Sequence, residues 1–165
     1  MGSQTGIMQK FRVNFTSFRE VWLFIQIFFL VTLSPVALRL FSIPRLMRIC
    51  TPRYLKVYEG RNRENLRAKA VKFTDYILGW NALRCRNTCL KRALVLYYFL
   101  RKWGMDVRVC FGVRYAAHKR LDGHAWLLYQ GDIFLERNTE RTKAYTQTYC
   151  FPDTMEQIKQ NYHHG

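Results

Sequence analysis

Two short stretches hold the side chains best able to do chemistry: Thr88-Cys89-Leu90-Lys91-Arg92-Ala93-Leu94 and, further on, Gly123-His124-Ala125-Trp126. A cysteine that opens an amphipathic helix and a histidine in a later strand are the two parts a thiol nucleophile needs. The thiolate attacks, not the thiol, so position and partner must make such a cysteine more acidic. At the start of a helix Cys89 would sit among backbone N–H groups without intrahelical partners, at the positive end of the macrodipole, and both favour an anion. The same N–H groups can receive a developing oxyanion. His124 would take the thiol proton and return it to a leaving amine. Against this stands the plainer reading, in which a helical cysteine is a small buried hydrophobe and a strand histidine a satisfied core residue.

The elements that must position the pair can be read from periodicity. Thr88 is expected as the N-cap of a helix to about Trp103, with Leu90, Ala93, Leu94, Tyr97 and Leu100 on one face and Gly104 as its stop. From Val107 the period changes to two: Val107, Val109, Phe111, Val113 and Tyr115 alternate with Arg108, Cys110, Gly112 and Arg114. Further strands are expected at Gly123–Tyr129 and from Asp132 to about Asn138. Helices first and strands afterward imply an α+β fold, with an antiparallel sheet packed on the Cys-bearing helix.

Hairpin geometry then nominates a group to orient the imidazole. A two-residue turn at Gln130-Gly131 would turn Glu136 away from His124. A three-residue loop, Tyr129-Gln130-Gly131 with Gly131 left-handed, would set Glu136 directly opposite His124, with Cβ atoms about 5 Å apart. Glycine in the third loop position favours the three-residue loop. Asn138 or Asp132 would replace Glu136 if the register slipped. Trp126 shares the histidine's face and would shield the pair from water.

The chain of 165 residues fits one domain, with a core that needs no metal or disulfide staples. Its 27 Lys plus Arg against 11 Asp plus Glu give a net charge of +16, which calls for an acidic partner, an anionic surface or a nucleic acid. The basic residues form no long run, and no zinc-finger or RNP-type motif accompanies them, so nucleic acid is not expected as a partner. Five cysteines (Cys50, Cys85, Cys89, Cys110 and Cys150), odd in number and without a Cys-x-x-Cys, argue against a disulfide framework and for a reducing compartment. Cys85 and Cys89 with His118 and His124 do not have a familiar zinc spacing, so no metal is expected. Cys110 reads as packed in a strand, Cys50 and Cys150 as lying near element ends, and Cys85 as a bystander. His163 and His164 belong to an uninformative tail.

Residues 1–8 read as a disordered start or an expression scar and are set aside. From Val21 to Leu38 the chain is apolar nearly all round, with Arg19 before it and Arg39 after. A spanning helix, a signal sequence and a buried helical pair compete for this segment. Pro35 is expected to end or kink the first helix near Ser34, which shortens it to about one hydrophobic thickness at best, and no clear small-residue cleavage site follows. The favoured reading is the helical pair, the second member running from Val36 to Ile49 with an interruption at Pro44, its basic side available to anionic head groups. Residues 9–58 then form an apolar helical segment and 59–165 the core that bears the cysteine. Thr51–Asn62 reads as a connection, followed by a helix from about Arg63 that Gly79 stops.

NTCLKRALVLYYFLRKWG, VRVCFGVRY and GHAWLLYQGDIFLE together resemble the B-type leader peptidase of lasso peptide biosynthesis, a member of the transglutaminase-like cysteine protease superfamily. That family's motif is a Cys-Leu-x-Arg helix start, a Gly-Val-Arg strand and an Ala-His-Ala-Trp strand, and the resemblance spans roughly residues 18 to 140. It implies a transglutaminase/papain-like core with an N-terminal apolar helical region and a Cys-His-Asp triad, with Cys89 as nucleophile and His124 as base. Gly123 stands where Ala is usual, and Glu136 stands where the family has Asp, twelve residues after the histidine. Trp126, Thr88 and Arg114 become candidates for substrate binding or shielding, and no cofactor is implied. The implied partners are a precursor peptide with its leader, a small leader-recognition protein and an ATP-dependent asparagine-synthetase-like macrolactam synthetase. Apart from the resemblance, the cysteine usage makes the cytoplasm the expected location, and the apolar helical pair is expected to lie against the inner face of the membrane. The alternative is a non-enzymatic membrane- or partner-binding scaffold that works through its basic surface and residues 18–49.

Overall fold

Thr88–Lys102 forms a helix (α4) whose middle is buried nearly all round, which explains its run of Ala93, Leu94, Val95, Leu96, Tyr97, Phe99 and Leu100. In the computed structural model of the chain the described residues are 17–52, 58, 60–80, 88–115 and 120–152. Residues 1–8, Cys85, His118, His163 and His164 lie outside them. Gly104, at φ +78°, ends α4 in a left-handed cap: Gly104 N–H donates to the Arg101 carbonyl at 3.0 Å and Met105 N–H to the Leu100 carbonyl at 2.9 Å.

Around α4 stand α1 (Phe18–Leu40), α2 (Ile43–Ile49) and α3 (Gly60–Leu78) on one side. The other side is a four-stranded antiparallel sheet in the order β3 (Asp132–Phe134), β2 (Leu121–Tyr129), β1 (Val107–Tyr115), β4 (Thr146–Phe151), with a short helix, α5 (Thr139–Lys143), between β3 and β4. The fold is α+β, as the order of periodicities implies. Leu23, Ile27 and Val31 from α1, Ala70, Phe73 and Ile77 from α3, and Val107, Val109, Ala125 and Leu127 from the sheet join α4 in one core. A second, smaller cluster of Cys110, Trp126, Tyr145 and Cys150 is packed with Leu128 and Ile133. Residues of β1 and β2 alternate between the two clusters.

Several expectations are corrected. Pro35 neither ends nor visibly divides α1, which continues to Leu40. Proline takes away the N–H that would bond the Val31 carbonyl, and the buried Ser34 hydroxyl donates to that carbonyl instead, at 2.7 Å. Pro44 does not interrupt the second helix but lies in its first turn, where the missing N–H costs nothing, so Val36–Leu40 belongs to α1 and α2 is short. The third strand stops at Phe134 rather than near Asn138, and β4 was not foreseen although Thr146-Gln147-Thr148-Tyr149-Cys150-Phe151 has strand composition. That omission hid a disulfide. Cys110 and Cys150 oppose each other across β1 and β4, Cα atoms 4.1 Å apart, and are bonded. An odd cysteine count says nothing about a pair that sheet register brings together, so cysteine usage gives no ground for expecting a reducing compartment.

Candidate active site

Cys89 is the second described residue of α4, and Thr88, exposed, is itself helical rather than the N-cap expected of it; the residues before Thr88 fall outside the described ones. The thiol is half-buried. It bonds to the His124 imidazole and receives backbone N–H groups of Ala125 and Leu90, and these, the imidazole first, hold its pKa below the ordinary thiol value against the opposing effect of burial. The imidazole is pushed up to about 9, by its bond to Cys89 first and by Glu136 second. Each partner stabilises the charged form of the other, so the pair favours a thiolate and an imidazolium.

Glu136 Oε2 lies 3.5 Å from His124 Nε2. The carboxylate arrives by a route other than the expected hairpin. The turn is the two-residue Gln130-Gly131, with both residues left-handed at φ +54° and +93°, and Leu127, Leu128 and Tyr129 pair with Phe134, Ile133 and Asp132. Positive φ at both turn positions matches the twist of the flanking strands, and this outweighs the cost of a left-handed glutamine. An uninterrupted strand in that register would set Glu136 against Ala125, turned away from His124. Leu135, at φ +59°, breaks the strand first and turns Glu136 back to the imidazole. The expected register is therefore wrong and the nominated residue is still in place. Asn138 is occupied elsewhere, capping α5 by accepting the Arg141 N–H at 2.9 Å, and Asp132 sits exposed at the hairpin end.

Side chains that sequence reasoning gave no role surround this relay. Arg92, one helical turn after Cys89, donates to Asp75 at 2.7 Å and lies 3.6 Å from Glu136 Oε1, and Arg137 reaches Asp75 at 3.0 Å. The i, i+3 spacing of Cys89 and Arg92 put both on one helix face and was the signal available. Thr142 Oγ1 stands 3.5 Å from His124 Nε2 and donates to the Asn138 carbonyl at 3.1 Å, a contact with no sequence signal. The imidazole is flanked by Trp126, stacked at 5.9 Å between centroids, and by Tyr145 at 5.0 Å. Trp126 is buried. Gly112 makes room for it: a Cβ there would come within 2.7 Å of the Trp126 ring and of the Thr146 carbonyl. Arg114 is engaged within the protein, pairing with the cross-strand Asp122 at 3.1 Å and lying over the Tyr145 ring at 4.5 Å. Tyr145 also donates to Asp122 at 2.7 Å, and this bond first, then Arg114, holds the Asp122 carboxyl below its usual value. Arg114 thus braces the tyrosine that flanks His124. At Gly123 a Cβ would meet only the Gly112 carbonyl at 4.0 Å, so the alanine usual in the resembled family would fit. Among the described residues no group of three or more His, Cys, Asp and Glu is arranged to hold a metal ion.

The cysteine thus stands in the first described turn of a helix that packs on an antiparallel sheet, and the histidine stands on the second strand of that sheet. The family model for the transglutaminase-like superfamily matches residues 31–150. The chain belongs to that superfamily. The match begins within the second half of α1 and runs to Cys150 in β4, so the elements that carry Cys89, His124 and Glu136 lie inside the transglutaminase-like region. Searches of curated proteins and of solved structures return no match. The superfamily includes cysteine peptidases.

Proposed function

We propose that this transglutaminase-like protein is a cysteine peptidase that removes the leader from a ribosomally made lasso peptide precursor, before a separate ATP-dependent, asparagine-synthetase-like enzyme closes the macrolactam. The observation that carries the peptidase reading is the Cys89–His124–Glu136 relay at the start of α4, with acidities shifted toward an ion pair. The substrate assignment rests on the Cys-Leu-x-Arg, Gly-Val-Arg and His-Ala-Trp motifs. A small recognition protein would present the leader.

The Cys89 sulfur attacks the scissile carbonyl carbon, and the resulting oxyanion is received by backbone N–H groups at the helix start. The imidazolium of His124 gives its proton to the departing amine as the C–N bond breaks, leaving a thioester on Cys89. Water then adds to the thioester carbonyl, losing a proton to the neutral imidazole. Collapse expels the sulfur as thiolate and restores the ion pair. Glu136 and Thr142 fix the ring through Nε2, Trp126 and Tyr145 limit its tilt, and Arg92 holds the second carboxylate oxygen.

The test is a reconstituted reaction of precursor, recognition protein and this chain, followed by mass spectrometry. One cut between leader and core is expected, lost in Cys89→Ala. Cleavage retained by that variant would refute the nucleophile, and an uncut precursor alongside cleavage of an unrelated peptide would refute the substrate assignment.

A further inference from the structure

α1 has two apolar faces, and only one of them is used. Leu23, Ile27 and Val31 are buried in the core. Phe18, Trp22, Ile25, Phe29, Leu33, Val36 and Leu40 form a second stripe, each between 37% and 83% exposed. At 100° per residue these seven fall within an arc of about 80° that runs the length of the helix. Arg19 and Arg39, both exposed, lie on opposite flanks of the stripe, one near each end, about 80° from its centre line. Exposed Phe41, Ile43 and Ile49 carry apolar surface on into α2, accompanied by exposed Arg45 and Arg48. Glu20 is the one acidic residue between 17 and 52, and it is buried and paired with Lys69 at 2.5 Å.

We propose that this face is a membrane-docking surface, with α1 lying in the plane of an anionic bilayer, its stripe among the acyl chains and its arginines at the phosphate level. α1 is long and apolar enough to cross a bilayer by length and composition. Crossing would strip Leu23, Ile27 and Val31 from Ala70, Phe73 and Ile77, whereas lying flat keeps that core and covers only the unused face. Charge decides between lipid and a second copy of the chain. The charged residues exposed between 17 and 52 are Arg19, Arg39, Arg45 and Arg48, with no exposed acid, so pairing two copies through the stripe, parallel or antiparallel, brings two uniformly basic faces together. No acid on the face relieves either arrangement, while anionic head groups neutralise these arginines. The surface is separate from the thiol chemistry, since the stripe is the exposed side of α1 whereas Cys89 and His124 stand on α4 and β2.

The experiment is flotation of the full chain with phosphatidylcholine vesicles, with and without phosphatidylglycerol, alongside sedimentation of the protein alone. The wild-type chain is expected to float with the phosphatidylglycerol vesicles and to sediment as a monomer. Phe29→Glu with Leu33→Glu should abolish flotation with the near-ultraviolet circular dichroism of the core unchanged. Arg19→Gln with Arg39→Gln should weaken binding by about thirty-fold, at roughly five-fold per arginine, and only where phosphatidylglycerol is present. Added salt should erase that difference. A chain that stays at the bottom with phosphatidylglycerol vesicles overturns the proposal. So does a dimer that Phe29→Glu with Leu33→Glu dissociates, because the stripe then belongs to a second copy. Failure of either kind leaves Cys89 cleavage untouched, and loss of cleavage in Cys89→Ala leaves flotation untouched.

Discussion

Cys89 and Cys50 are both free and half-buried, and their acidities are shifted in opposite directions. Cys50 is the C-cap of α2, where its N–H donates to the Leu46 carbonyl at 2.8 Å and the thiol is pushed up by burial. Cys89 stands at the opposite end of a helix, with an imidazole and two backbone N–H groups directed at its sulfur. Burial opposes ionisation at both. The difference lies in which helix end the thiol occupies and whether a base is in reach, so exposure alone would not separate the nucleophile from the packing residue.

The largest contrast should come from removing each sulfur in turn. Cys89→Ala is expected to lower precursor cleavage by on the order of 10³-fold or more, while Cys50→Ala should leave the cleavage rate nearly unchanged and cost about 1 kcal/mol of stability by thermal melting. Equal loss of activity in both variants would erase the distinction. Next in size, Glu136→Gln should reduce cleavage by about 10²-fold, the scale of general acid–base assistance, while Asp132→Asn should have little effect. If Asp132→Asn proved the more damaging, the orienting carboxylate would be misassigned. A smaller effect on rate, with a clear one on stability, is expected for Gly112→Ala. Its methyl group collides with Trp126 and the Thr146 carbonyl, for a cost of about 1–3 kcal/mol read as a lowered Tm.

The sequence carries α4, β1, β2 and the Cys89–His124 pairing openly, because a change of period from about four to two is a local signal. Glu136 was reached from a turn type that the protein does not use. A glycine following Gln130 is compatible with two loop lengths, and the left-handed Leu135 that rescues the contact has no residue signature, since leucine rarely adopts that conformation. Pro35 shows the same limit. Whether a proline ends a helix depends on who satisfies the carbonyl four residues back, and Ser34 does so here through its own rotamer. Asp75, Thr142 and Tyr145 come to His124 or its partners from α3, from α5 and from the residue before β4, so tertiary assembly alone places them.

The finest test of the two thiols is their response to pH. Alkylation by iodoacetamide, located by peptide mass mapping, follows the thiolate, so Cys89 should react below the ordinary thiol value of about 8.5 and Cys50 only above it. Cleavage needs the imidazolium as well. It should rise through the lowered Cys89 pKa and fall as pH passes about 9, where His124 gives up its proton, whereas Cys89 alkylation should persist on the alkaline side. The stability contributed by His124 carries the same sign: its folded pKa is raised, so that contribution is complete below the unfolded value of about 6.5 and is lost as pH rises through about 9. In Glu136→Gln one of the two partners that raise the imidazole pKa is gone, so the alkaline limb of cleavage should move to lower pH while the order of thiol reactivity is kept. Coincident alkylation midpoints for Cys89 and Cys50 would show that the helix start and the imidazole do not distinguish them.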